Sequence, residues 1–265
     1  MKNYKEYTES NRQAWNQAMP FHKEVMDDKW DSLLANADFI FQKDPELAEL
    51  NQIGISGKDI AHLSCNNGLE LMSLKRLGAN KCFGFDISDV AIEEAVKRAE
   101  KFAIDCQFIR SDVLEIGPEY FGNFDLVYIT VGALAWIPDK RKYFEIAYNL
   151  LRPKGEIFIY EHHPFGDVFP YDDEYKGLLE AKYKYFNSEI YTDNTGIDYY
   201  GGKSYDSHPT YEFSYTISDL INILADLGFT IKRFNEYPDD IALGRSYLNP
   251  EEGRIPLSYI MIAQK

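Results

Sequence analysis

Cysteine is scarce in this chain: Cys65, Cys82 and Cys106 are the only three in 265 residues, and no two have CxxC spacing. That excludes a disulfide framework and a zinc site, and it fits a reducing compartment. Long apolar runs are absent as well. No stretch reaches the roughly 20 consecutive apolar residues that a membrane helix needs. The opening segment MKNYKEYTESNRQAW is polar and charged, unlike a secretory signal, so a cytoplasmic protein away from the membrane is expected. Basic residues are outnumbered by acidic ones, 28 against 43, for a formal net charge of −15. A surface of that sign repels a phosphate backbone, which argues against nucleic acid and leaves small molecules, cations included. The glycine pattern GxGxxG is also missing. Without it a pyrophosphate has no easy approach to the backbone, which disfavours a nicotinamide oxidoreductase.

Aromatic residues, in contrast, are plentiful at 15%. The length suits one well-buried α/β domain with an appendage. Residues 1–50 have Trp15, Phe21, Val25, Met26, Trp30, Leu33 and Leu34 at roughly helical spacing. Strands and helices then alternate. Strands are predicted at Ile60–Leu63, Lys81–Asp86, Cys106–Arg110, Asp125–Thr130 and Glu156–Glu161, with helices at Leu69–Leu77, Val90–Phe102 and Lys140–Leu151. Ser88 and Pro138-Asp139 are start signals, and Arg152-Pro153-Lys154-Gly155 reads as a stop. Such alternation implies a parallel sheet with right-handed crossovers and helices on both faces. Residues 164–215 break the rhythm with a crowd of tyrosines and phenylalanines around Asp193–Gly196 and Gly201-Gly202, read as one or two hairpins. Thr216 then opens a helix that Gly228 closes, and Phe229–Phe234 and Ser258–Ala263 read as final strands joined by a loop holding Pro238, Pro250 and Pro256.

The segment DIAHLSCNNG, with Asp86 eighteen residues after Gly68, carries the functional signal. A strand, a tight turn and a helix start, followed by a second strand ending in a carboxylate, build a nucleoside pocket. IAHLSCNNG, FGFDIS, FIRSDVLEI and FDLVYITVGALAWIPD with LLRPKGEIFIYE together resemble the class I S-adenosylmethionine-dependent methyltransferases, especially those acting on small molecules. The resemblance spans residues 56–163 and 214–265. It implies a Rossmann-like, seven-stranded, mostly parallel sheet with the last strand antiparallel. Its parts would be an N-terminal helical lid at 1–55, a cofactor-binding core at 56–163, an aromatic β insert at 164–215 capping the substrate, and the rest of the core at 216–265.

It also implies S-adenosylmethionine as donor and S-adenosylhomocysteine as product. Leu63, Ser64, Cys65, Asn66 and Gly68 would cradle the donor, Asp86 and Ile87 its ribose, and Asp112 and Val113 its adenine. Thr130 and Gly132 would close the crevice, and Trp15 would reach in from the lid. One departure stands out: the family carries an acid where His62 stands and glycines where Ser64 and Asn66 stand. Asn tolerates left-handed backbone, so the turn survives at Asn66; Ser64 intrudes more.

At the end of the fifth strand, His162 or His163 is the candidate general base, and no metal site is read, since adjacent strand histidines point to opposite faces. His208 is a lesser candidate. The expected partner is a small-molecule methyl acceptor, with a homodimer as the possible assembly. The alternative is a methyltransferase-like sensor or partner subunit that binds the donor without catalysis.

Overall fold

The computed structural model describes residues 4–248 and 252–265, so Pro250 of the loop expected between the last two strands lies outside the described residues. Among the described residues, nine strands and six α-helices follow one another: α1 (Lys5–Ala35), α2 (Glu46–Ile53), β1 (Ile60–Leu63), α3 (Leu69–Arg76), β2 (Cys82–Asp86), α4 (Asp89–Lys101), β3 (Gln107–Arg110), β4 (Phe124–Ile129), α5 (Lys140–Leu150), β5 (Leu151–His162), β6 (Ile190–Asp193), β7 (Thr210–Phe213), α6 (Ile217–Leu227), β8 (Thr230–Tyr237) and β9 (Ser258–Gln264). Seven strands form one sheet in the order β3-β2-β1-β4-β5-β9-β8. Neighbours from β3 to β5 are parallel, while β9 runs antiparallel to both β5 and β8. The expected architecture is therefore present.

The central strands owe their position to composition. All four residues of β1 are buried, as are the last four of β4, so both faces of the sheet must be covered. Phe85, Val127, Ile129, Phe144, Leu220 and Tyr259 belong to the larger core cluster, and Leu50, Leu71, Leu126 and Phe158 to a second one. Caps fix the helix starts as the sequence suggests. The Ser88 side chain accepts from Ala91 N–H, Asp139 from Lys142 N–H, and Thr216 forms a capping box with Asp219.

One strand bound needs correction: α5 stops at Leu150, just ahead of Arg152 as expected, but β5 begins at Leu151 rather than at Glu156, because Leu151 already pairs with Phe124 before the register shifts. Lys154 absorbs that shift with a φ of 69°. The aromatic insert holds one two-stranded ribbon, β6 with β7, and both Gly-containing turns fall in the long connection between its strands.

Helix α1 lies across α4 and β7. Asn11 is buried and bonds both ways to Tyr211 of β7, its Nδ2 donating to the carbonyl at 2.9 Å and its Oδ1 accepting from the amide at 2.7 Å. Five residues on, Asn16 Oδ1 accepts from Ser88 Oγ at 2.8 Å, and Arg12 pairs with Asp89. The helix thus ties the aromatic insert to the start of α4.

Candidate functional site: the crevice at the carboxyl ends of β1, β2, β4 and β5

The strand order reverses between β1 and β4, and open parallel sheets bind ligands at such a point. The turn after β1 holds Ser64 at φ 58°, Asn66 at φ 49° and Gly68 at φ 76°. Left-handed backbone is thus kept at all three positions although two have lost glycine. Asn66 manages with local hydrogen bonds: its Oδ1 accepts from Asn67 N–H at 2.7 Å. Gly68 is required twice, since a Cβ there would also lie 2.4 Å from the Phe108 ring. Ser64 is half-buried, and its hydroxyl neighbours the buried Tyr143 hydroxyl of α5, which makes no hydrogen bond among the described residues. Leu63 and Cys65 are buried, and burial drives the Cys65 thiol upward, so it stays protonated.

Asp86 ends β2 facing this turn. Its Oδ2 accepts from Asn66 N–H at 2.8 Å and its Oδ1 from Ser88 N–H at 2.9 Å. Burial raises its pKa, while the amides of Ser88, Asn66 and Ile87 oppose the rise. Asp112 starts a short 3-10 turn and accepts from Leu114 N–H at 2.9 Å, with Val113 buried beside it. Trp15 meets Trp136 edge-on at 5.5 Å and Tyr199 of the insert at 6.4 Å, so it lies in an aromatic roof.

At the other end, Glu161 is fully buried in β5 and organises the loop after β4. Its carboxylate accepts from Gly132 N–H at 2.7 Å, Leu134 N–H at 3.1 Å and His162 N–H at 2.9 Å. His162 completes a chain: its Nδ1 is 2.8 Å from Glu161 and its Nε2 3.2 Å from Asp167, which in turn meets Arg245 at 3.3 Å. Burial pushes the His162 pKa down, but Asp167 and Glu161 outweigh it and carry the value well above normal. Both ring nitrogens of His162, one of the two general-base candidates, are thus engaged by carboxylates. His163 Nδ1 accepts from Phe165 N–H at 3.0 Å, and its Nε2 lies 3.0 Å from Glu236 of β8. His208 is exposed, its amide held by Gln17 of α1 at 2.8 Å.

Thr130, at the end of β4, is joined to residues that the sequence reading passed over. Its hydroxyl donates to Glu70 of α3 at 2.7 Å and lies 3.1 Å from His62 Nε2. His62 is sealed in β1, and burial lowers its pKa to about 3. Nearby, Tyr128 donates to Glu46, whose pKa burial and Glu70 raise to about 8. The only sequence signal for this cluster was the histidine standing in place of an acid.

Among the described residues, no helix is long and apolar enough to cross a membrane. Several solved proteins share the fold. An S-adenosylmethionine-dependent methyltransferase from Mesorhizobium loti is 20% identical, with 83% of this chain and 97% of that one aligned at a TM-score of 0.61. Another from Methanosarcina mazei is 16% identical, covering 85% of this chain and 99% of that one at 0.58. In sequence, a ubiquinone biosynthesis O-methyltransferase from Shewanella pealeana is 25% identical over 105 residues, or 40% of this chain. The chain spans 44% of the length of that curated relative. The family described as a methyltransferase domain matches residues 56–208, more than half of the sequence, and the chain belongs to that family.

Proposed function

We propose that the protein transfers a methyl group from S-adenosylmethionine to a small-molecule acceptor. The observation that carries this reading is the turn Ser64–Gly68, which keeps left-handed backbone at three positions with a single glycine and aims an amide at Asp86. A family member that had abandoned the donor would have no reason to hold Ser64 in that conformation.

In this reading Asp86 binds the ribose hydroxyls with lone pairs left over from Asn66 and Ser88, and Ile87 packs beside it. Val113 lies against the adenine, and Asp112, one oxygen of which is engaged, offers the other to the amino group. Leu63, Ser64, Cys65 and Gly68 line the methionyl side, with Thr130 and Gly132 as the facing wall. When bound, the donor supplies an electrophilic methyl on a sulfonium. The chain's residues then orient the acceptor's lone pair in line with that carbon–sulfur bond and exclude water, a positioning effect worth about 7–11 kcal/mol in well-arranged reactions. Glu161 fixes the loop carrying Gly132, and His162 is a positioning residue that fixes Glu161. Trp15, Trp136 and Tyr199 form a roof suited to an apolar or cationic acceptor.

The reading takes the cytoplasm as the location, and neither nucleic acid nor membrane as partner, given the net charge of −15. Residues 1–55 and 164–215 serve as the cap over the core, and a homodimer is the assembly to look for.

Calorimetric titration with S-adenosylmethionine, S-adenosylhomocysteine and NAD tests the donor. Binding of the first two alone, with turnover on a panel of phenols, amines and thiols, is expected. Tight binding with no turnover across the panel would instead mark a sensor. No binding of either sulfur ligand would overturn the assignment.

A further inference from the structure

Glu70 stands in the first turn of α3, where its Oε2 accepts the Thr130 hydroxyl proton and lies 3.6 Å from His62 Nε2. This carboxylate therefore bridges the ends of β1 and β4, at the reversal of strand order and directly beside the turn Ser64–Gly68. No lysine or arginine pairs with it among the described residues. Its charged neighbours are themselves acids: Glu161 destabilises its anion, and it destabilises that of Glu46. Burial, with Glu161 adding to it, lifts the Glu70 pKa to about 7 against the opposing Thr130 hydrogen bond. A half-protonated carboxylate without a cation is costly to keep unless a ligand brings one.

The surrounding polar atoms show what kind of cation fits. Thr130 gives its own proton to Glu70 and so accepts from His62 Nε2–H. In that tautomer His62 Nδ1 carries a lone pair, and it is buried without a partner. Gln42 places its amide against the Glu70 carbonyl at 3.1 Å, and its buried Oε1 also lacks a partner. Glu70 Oε1 makes no hydrogen bond among the described residues. The corner is therefore rich in acceptors and short of donors. A sulfonium has no N–H to offer such a set, whereas an ammonium has three. Burial raises the pKa of the Tyr199 and Tyr200 hydroxyls of the insert, and the Glu70 charge adds to that rise.

We propose that Glu70, on α3, is the counter-charge for the α-ammonium of the donor's methionyl group. The proposal rests on the donor-binding reading above. The pairing has a direct pH consequence. Deprotonated Glu70 is the binding form, so affinity for the amino-acid part rises as pH climbs through about 7 and falls below it.

The test is calorimetric titration of wild type and Glu70→Gln with S-adenosylhomocysteine and with 5′-methylthioadenosine, which keeps the nucleoside thioether and lacks the amino acid. Gln retains an acceptor for Thr130, and thermal unfolding of the free proteins checks that the variant is folded. At pH 8, Glu70→Gln should weaken S-adenosylhomocysteine binding about 10- to 150-fold, the size expected for a charged hydrogen bond. Methylthioadenosine affinity should change less than about threefold, within the scatter of context effects. Wild-type affinity for S-adenosylhomocysteine should rise between pH 6 and pH 8, and the variant's should be flat. Equal S-adenosylhomocysteine affinity in both proteins, or an equal loss for both ligands, overturns the role of Glu70 alone. Wild type that takes up neither ligand overturns the donor-binding reading itself.

Discussion

The two ends of the crevice solve opposite problems. At the β1–β2 end the residue types have changed and the backbone has not: serine and asparagine hold dihedral angles that glycine adopts freely. At the β5 end the residue types look catalytic, yet Glu161, His162 and Asp167 are consumed in holding one another and the loop at Gly132. The lesson is that side-chain identity misleads in both directions. A lost glycine does not mean a lost turn, and a histidine beside a crevice, as at His162, can have both ring nitrogens already engaged. What decides is whether the atoms that would touch a ligand are free or already engaged.

Three substitutions break or sharpen this contrast. The largest effect is expected at Glu161. Glu161→Ala leaves two loop amides without an acceptor and His162 with one carboxylate fewer, all in a buried setting. Denaturant unfolding should show a loss of about 3–5 kcal/mol, the usual result of removing one partner from a buried charge network. A loss below about 1 kcal/mol, within the ordinary range for point changes, would mean that the loop holds itself.

Asp86→Ala comes next. Its carboxylate both braces the turn and faces the proposed ribose site, so S-adenosylhomocysteine binding should weaken by about 1.5–3 kcal/mol. Unchanged affinity in the titration would leave Asp86 a turn brace only.

The smallest effect belongs to Ser64→Gly. Relief of left-handed strain, about 1–2 kcal/mol for a non-glycine residue, is partly offset by the extra freedom of glycine in the unfolded chain, about 0.5–1 kcal/mol. A net gain of about 0–1.5 kcal/mol should appear as an unfolding midpoint raised by no more than about 6 °C. A lower midpoint would show that the Ser64 side chain earns its conformation through contacts near Tyr143.

The sheet was legible because its signals are local and redundant. Ser88, Asp139 and Thr216 as caps, and Gly228 as a stop, each mark a boundary independently. The β5 start was not legible, since Arg152-Pro153-Lys154-Gly155 reads as punctuation and only pairing with Phe124 draws Leu151 into the sheet. Asp86 could be located from the sequence because strand ends are countable. Glu70 could not, because the role proposed for it comes from Thr130, sixty residues away, and from the lack of a lysine or arginine paired with it among the described residues. Likewise, no sequence pattern reports that His162 lies between Glu161 and Asp167, since that depends on how the chain turns after the strand.

Helix α1 grips the aromatic ribbon through Asn11 and the first turn of α4 through Arg12 and Asn16, within a stretch of six residues. One rigid rod thus clasps the roof on one side and the neighbourhood of Asp86 on the other. In the proposed reading, lifting it to admit a guest would break both grips together, coupling entry beneath the roof to slackening of the turn at Asp86.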